Sequence, residues 1–333
     1  MATTTAHRHG FAKAKTAPTG WRAVVRRLPR QFKHNDLTDR AAALTYFGVL
    51  AIFPALLVLV SILGLLGRST TKTLLDNVKD VAPGGVYTFL QGIIDQVQGK
   101  QGAAVTAVIV GVLIALWSAS GYIAAFTRAM NNVYEIDEGR PATRTIPLRL
   151  AVTVAVLVML VISAVIVTIT GPIATRVGNG LGLGHAVVTA WSIAKWPALL
   201  LIVSLMFSLL YWATPNVKHG RFRWITPGGV LAVVIWLVVS GLFGLYVSFS
   251  GSYNKTYGSL ATVMVFLVWL WLTNIAILLG AEFNAQSERQ QLVEAGLPDD
   301  VETFVEPRDT RKLSEPEAER VEQAVRTRRA YLR

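Results

Sequence analysis

Apolar residues run almost unbroken over 224–281, and Lys255 is the only charged side chain among them. A helix rises 1.5 Å per residue, so a hydrocarbon core of about 30 Å takes about 20 residues to cross. The run is too long for one crossing and suits two. The turn between them is 251–258, Gly-Ser-Tyr-Asn-Lys-Thr-Tyr-Gly. Open backbone is costly in hydrocarbon, which places such a turn at a membrane surface or against protein. Tyr253 and Tyr257 suit an interface, rings among headgroups and hydroxyls in water. Lys255 can reach water or phosphate, and Ser252 and Asn254 can satisfy backbone groups where the helices end.

The same pattern predicts six spans, at about 41–67, 102–127, 150–175, 196–214, 224–250 and 258–281. Pro54 falls inside the first and should kink it. Arg128, Asn131, Asn132 and Glu135 share a helical face, so the second helix should continue out of the bilayer, with a break and restart marked by Pro141 and Pro147. Short amphipathic helices are expected at 21–32, 74–81 and 89–97, and a short helix from His185 within the Gly-rich connection 176–195. In the first of these, Trp21, Val24, Val25, Leu28 and Phe32 alternate with Arg22, Arg26, Arg27 and Arg30. That is the pattern of a helix lying on an anionic membrane face. The predicted fold is all-α: a polytopic membrane helix bundle of six transmembrane helices plus these short helices. It divides into a basic N-terminal segment (1–40), a membrane domain (41–287) and a charged, partly disordered tail (288–333). One exposed helix in the tail should start at Ser314-Glu315-Pro316-Glu317.

Composition agrees: 53% of residues are hydrophobic and 16% charged, against about 25% charged in an average soluble domain. The net charge of +12 sits between the apolar runs and in the tails, which favours anionic lipid headgroups at the cytoplasmic face, and not nucleic acid, as partner. The first 40 residues hold no short apolar core, so the first span reads as a retained anchor. With the N-terminus inside, inner connections carry 25 lysines and arginines against 7 outside, and 16 against 7 without the tail. Both ends are therefore expected in the cytoplasm.

Chemistry is sparse. The chain has no cysteine, which excludes disulfides and cysteine-ligated metals. Three of its five histidines fall in the first 34 residues. No nucleophile elbow, phosphate-binding loop or His-Glu-x-x-His is present. No catalytic residue, metal ligand or cofactor is expected. Asp39, Arg40, Lys195, Lys255 and Glu282 all read as lying at span ends. Tyr46, Ser118, Ser120 and Asn274 could line a polar path or serve as interhelical hydrogen bonds. The small residues Gly228, Ala232, Ser240, Gly244 and Ser248, and Gly111, Ala115 and Ala119, form faces that let helix backbones approach, within one chain or across a homo-oligomer.

Six motifs in order resemble the YihY/BrkB family: Ala41-Ala-Ala-Leu-Thr-Tyr46-Phe with Phe53-Pro54; Leu116-Trp117-Ser118-Ala-Ser120-Gly121; Arg128-Ala-Met-Asn131-Asn-Val-Tyr134; Pro215-Asn216 with Pro227-Gly228; Ser252-Tyr253-Asn254-Lys255-Thr-Tyr257-Gly258; and Leu279-Gly-Ala-Glu282-Phe-Asn284. The resemblance covers about residues 35–287. Thr45 and Gly48 depart mildly from the usual pattern. It implies a six-span inner-membrane protein of unestablished activity, one relative being linked to resistance to serum killing. Some members are labelled ribonuclease BN; zinc-dependent ribonucleases of that name need a cluster of histidines and aspartates that this sequence lacks. Three functions are carried forward: transport or lipid handling; a structural or interaction role in the envelope; and, least supported, a membrane-anchored ribonuclease. Candidate functional residues are Asp39, Arg40, Tyr46, Trp117, Ser118, Ser120, Arg128, Asn131, Asn216, Tyr253, Asn254, Lys255, Tyr257 and Glu282.

Overall fold

A computed structural model describes residues 20–65, 101–168, 185–220, 222–249, 259–298 and 304–331. Within them are eight helices: α1 (Trp21–His34), α2 (Leu37–Leu65), α3 (Gln101–Val133), α4 (Ala142–Thr168), α5 (His185–Ala213), α6 (Pro227–Phe249), α7 (Ser259–Glu294) and α8 (Glu315–Tyr331). Among the described residues there is no strand, only one isolated antiparallel bridge between Val217 and Pro307. Five helices are long and apolar enough to cross a membrane: α3 to α7 over Val110–Val133, Ala142–Val167, Val187–Ala213, Pro227–Val247 and Val263–Glu294. The all-α membrane bundle is therefore as predicted. The turn 251–258 and the expected cap helices at 74–81 and 89–97 lie outside the described residues.

Local sequence explains where the helices start and stop. α3 ends at Val133 in a turn where Ile136 N–H bonds Asn131 O at 2.9 Å and Glu135 takes a left-handed φ of 52°, a Schellman-type ending made without glycine. Pro147, expected to mark a restart, lies inside α4 instead, five residues from its start, where neighbouring turns tolerate the missing donor. α6 opens on Thr226, whose Oγ1 accepts the Gly229 N–H at 3.1 Å, with Pro227 in the first helical position. α8 begins as expected: Glu317 Oε2 accepts both the N–H and the hydroxyl of Ser314, at 2.9 and 2.7 Å.

Three expectations change. First, α5 starts at His185, so it extends eleven residues beyond the predicted start of the fourth span. Lys195 is consequently not at a span end but well inside a continuous helix. Second, α1, expected on an anionic membrane face, also packs against protein. Gly20 N–H bonds Glu294 Oε1 at 2.8 Å, and Asn35 Nδ2 bonds Glu282 Oε2 at 2.9 Å. Both ends of α1 are thus clipped antiparallel to the last third of α7, and Ala23 and Val24 are buried there. Third, the tail is partly built into the fold: Phe304 and Val305 are buried, and the following residues hydrogen-bond to the α5–α6 connection.

Packing is uneven along the bundle. Buried side chains gather at the end where α2, α4 and α6 begin and α3 and α5 finish: Leu37, Ala41 and Leu44; Phe126 and Met130; Phe207 and Tyr211; Leu278 and Ala281. An aromatic series Tyr122, Phe126, Tyr211, Phe207 crosses it with ring centroids 6.3–6.4 Å apart. At this end α6 and α7 almost touch: a Cβ on Gly228 would fall 2.0 Å from the Gly280 carbonyl oxygen. The small-residue face of α6 is thus used intramolecularly at Gly228 and Ala232, whereas Gly244, and Gly111 of α3, meet nothing within 4 Å. In the other half, Lys195 is the only buried side chain among those described in 110–118, 154–203 and 234–273.

Candidate functional site at the closed end

Two buried asparagines organise the closed end. Asn35, just after α1, donates to Glu282 Oε2, while its carbonyl accepts Arg40 Nε at 2.9 Å and Asn132 Nδ2 at 3.2 Å. One residue therefore ties α1, α2, α3 and α7 together. Glu282 has 0% exposure, and its other oxygen accepts Gln286 Nε2 at 3.0 Å. A buried carboxylate is tolerated only when its lone pairs are used, and here both oxygens are.

Asn216, also 0% exposed, is the second hub. Its N–H donates to Asn131 Oδ1 at 2.7 Å, and its Nδ2 donates to the carbonyls of Asp137 and Asp309 at 3.0 and 2.8 Å. Its Oδ1 accepts Asp309 N–H at 3.2 Å, and its carbonyl accepts Arg308 N–H at 2.9 Å. The α3–α4 loop, the α5–α6 connection and a strap at 304–313 converge on this side chain. The strap crosses so close to Gly139 that a Cβ there would lie 2.1 Å from the Asp309 carbonyl oxygen. Lys312 N–H then bonds Gly139 O at 2.9 Å.

Arginines close the end of α5. Arg308 donates to the carbonyls of Val217 (2.6 Å), Ala213 (3.3 Å) and Trp212, and its guanidinium lies 5.2 Å from the Trp212 ring. Arg140 donates to Thr214 O at 2.7 Å. A helix C-terminus exposes unsatisfied carbonyls and partial negative charge, which guanidinium groups answer on both counts. Arg140 also grips Glu138 at 2.6 Å. Burial would raise the Glu138 carboxyl, but Arg140 and Asn131 hold it below its ordinary value. Asp309 is held well below the usual carboxylate range, chiefly by Arg311. His219, edge-on to Tyr134 and 3.7 Å from Glu288 through Nδ1, is pushed down to about 4, first by burial and then by Arg308.

The structure joins Arg40, Asn131, Asn216 and Glu282 of the candidate residues to these hubs. Asn131 also donates to Glu138 at 3.0 Å, so its side chain meets protein, not water. Ser120 is buried and donates to Trp117 O at 2.6 Å. Asp39 is exposed beside the α1–α2 turn; Tyr46 is exposed, edge-on to Phe47 at 5.4 Å. Ser118 is half-buried. Arg128 is exposed with its guanidinium 5.8 Å from the Phe47 ring. Trp117 carries Arg149 over its ring at 5.0 Å. Asn274 serves as an interhelical bridge, accepting from Tyr122 at 2.8 Å and donating to Thr45 at 3.1 Å. Tyr253, Asn254, Lys255 and Tyr257 lie outside the described residues. Asn35, Arg140, Arg308 and Asp309 were missed; each has a hydrogen-bond partner 74 to 247 residues away, which no local spacing signals. Among the described residues no three histidine or carboxylate side chains come together as a metal site.

Helices of this length and composition, joined through buried polar hubs, define a multi-pass α-helical membrane protein. Residues 28–302 match the family described as Virulence factor BrkB, and the chain belongs to that family. It is 28% identical over 263 residues to a Bacillus subtilis protein named ribonuclease-like protein YfkH, covering 79% of this chain and 94% of that one. It is 30% identical over 267 residues to a UPF0761 membrane protein of Alkalilimnicola ehrlichii, covering 77% of this chain and 56% of that one. A UPF0761 membrane protein of Aromatoleum aromaticum is 28% identical over 284 residues, covering 80% of this chain and 64% of the relative. The chain thus spans nearly the whole Bacillus relative but under two thirds of the other two. No solved structure matches.

Proposed function

We propose that this is a six-span protein of the bacterial inner membrane, with α2 as the sixth span and both termini in the cytoplasm. It handles an anionic amphiphile or solute within the bilayer, by transport or by lipid handling, and is not an enzyme. The observation that carries this reading is the division of the bundle. The closed end is welded by buried hydrogen bonds. The other half has a single buried side chain among those described, and it is a lysine, 8% exposed, with its ammonium 5.3 Å from the Trp196 ring. A cation at such depth is costly and marks a functional position by default. No carboxylate occurs between Glu138 and Glu282, so α4, α5 and α6 offer cations and no anions. That charge pattern suits an anionic ligand. The closed end carries the basic connections, and the excess of positive charge supports its cytoplasmic placement.

The test is a high-resolution structure in nanodiscs containing phosphatidylglycerol. Lipid or solute density between the helices near Lys195, lost in Lys195→Met, is expected. A bundle that closes fully around Lys195 with no ligand density would overturn the reading in favour of a structural role in the envelope. Orientation is tested separately. The chain lacks cysteine, so Ser252→Cys carries the only thiol, and an impermeant thiol reagent should label it from outside intact spheroplasts. Labelling only after lysis would reverse the topology.

A further inference from the structure

Arg149 lies seven residues into α4, about 10 Å along the helix, within the stretch of α4 apolar enough to span a membrane. Its guanidinium sits 5.0 Å from the Trp117 ring of α3. Its Nε is buried without a hydrogen-bond partner, and among the described residues no carboxylate pairs with it. Trp117 is 60% exposed, and along the same stripe of α3 the side chains of Leu113 and Ile114 are also exposed. Three turns towards the closed end, that stripe carries Arg128, exposed with its guanidinium 5.8 Å from the Phe47 ring. Two guanidinium groups thus flank one open face of α3, each backed by an aromatic ring and neither paired with a carboxylate among the described residues.

An arginine inside a spanning segment is expensive unless its charge and its five donors are used. A planar guanidinium matches a phosphate oxygen pair, with two parallel N–H donors, better than any other common anion at a membrane. The neighbouring Trp117, with an apolar ring and a polar edge, belongs at the depth where acyl chains meet headgroups. We infer that Arg149, positioned by Trp117, binds a phosphate-bearing headgroup on the open face between α3 and α4. Arg128 supplies a second cation nearer the closed end. This rests on the lipid-handling reading above and assigns it a headgroup site distinct from Lys195.

The test uses the full chain in nanodiscs of equal phosphatidylglycerol and phosphatidylcholine, with a photocrosslinking amino acid replacing Ile114. Adducts are identified by mass spectrometry. At least fivefold enrichment of phosphatidylglycerol over phosphatidylcholine is expected. It should fall to near parity in Arg149→Met and survive in part in Arg149→Lys, which keeps charge without the planar fork. Enrichment abolished by tens of millimolar inorganic phosphate would assign the site to free phosphate. Enrichment unchanged in Arg149→Met, with the variant folded by circular dichroism, would overturn the proposal. Loss of enrichment with persistent ligand density at Lys195 would separate failure of this site from failure of the wider reading.

Discussion

Replacing Asn216 by alanine should undock the C-terminal strap without unfolding the bundle. The side chain makes three hydrogen bonds, at 2.8, 3.0 and 3.2 Å, all at a fully buried position. Truncation leaves two carbonyls and one N–H without partners. A buried unpaired backbone group costs about 1–3 kcal/mol, so the summed strain would exceed what a single exposed connection can store. The chain has a cheaper outcome: the strap lifts, and its groups find water. Taking a net loss of about 3 kcal/mol, the open population rises about 100-fold, since 1.4 kcal/mol is a factor of ten. Limited trypsin digestion reads this directly. When opening is fast relative to cleavage, the rate tracks the open population, and Arg308 and Arg311 supply the sites. Arg320 and Arg326, on α8, serve as internal controls. Cleavage at Arg308 and Arg311 should accelerate by about two orders of magnitude while the control sites change little. Rates at Arg308 within about threefold of the parent would falsify the hub role of Asn216.

The remaining tests are shorter. Gly139→Ala removes no hydrogen-bonding group, yet its Cβ would meet the Asp309 carbonyl at 2.1 Å; it should reproduce the strap's protease sensitivity, and a fully protected strap would refute the close crossing. Acid should loosen the His219 region. The folded pKa of about 4 lies below the ordinary value of about 6.5, so stability is complete above pH 6.5 and falls as pH drops towards 4. The loss reaches about 3 kcal/mol; thermal melts of the parent and of His219→Gln between pH 7 and 4 check it, and the variant should show the smaller slope. The purified protein should not degrade RNA, because its sequence lacks the histidine and aspartate cluster such zinc enzymes need. Robust activity that copurifies with the chain and dies on one substitution would sink that expectation.

Sequence pattern revealed the helices well because hydrocarbon leaves few options: every backbone group must be satisfied within the segment, so length and apolarity define a span. It located α5 less well. Lys195 and Pro197 resemble a boundary in one dimension, yet the helix runs from His185 to Ala213 with Lys195 buried inside it. The motifs were legible as motifs but silent about partners. Glu282 and Asn284 looked like one polar end of a span. In the fold Glu282 fixes α1 through Asn35, while Asn284 Oδ1 accepts Gly228 N–H at 2.8 Å and so caps α6. Gly280, two residues before Glu282, is required by the α6 crossing. The strap was not legible at all. Its apolar content is only Phe304 and Val305 before a charged run, and what holds it is hydrogen bonding to Asn216, 92 and 93 residues away by sequence.

The two halves of the bundle also dictate where motion is cheap. Separating helices at the closed end would strand Glu282, Asn216, Asn274 and Tyr211, whose hydroxyl donates to Ile277 O at 2.7 Å. Each lost buried partner costs about 1–3 kcal/mol, and interfaces built this way switch between discrete arrangements or stay shut. In the other half Lys195 is the only buried side chain among those described in 110–118, 154–203 and 234–273, and an exchangeable contact such as Trp269 Nε1 to Ser240 Oγ at 3.1 Å joins α6 and α7. If access to Lys195 is gated, the helices therefore splay there and pivot about the closed end. Spin-label distances test this on the cysteine-free chain. A pair at Thr38 and Arg144, on exposed positions of the closed end, should give one narrow distribution. A pair at Val165 and Leu242 should give a broad or two-peaked one that shifts with anionic lipid. Equal widths at the two ends, with or without that lipid, would show that the division in packing is not a division in mobility.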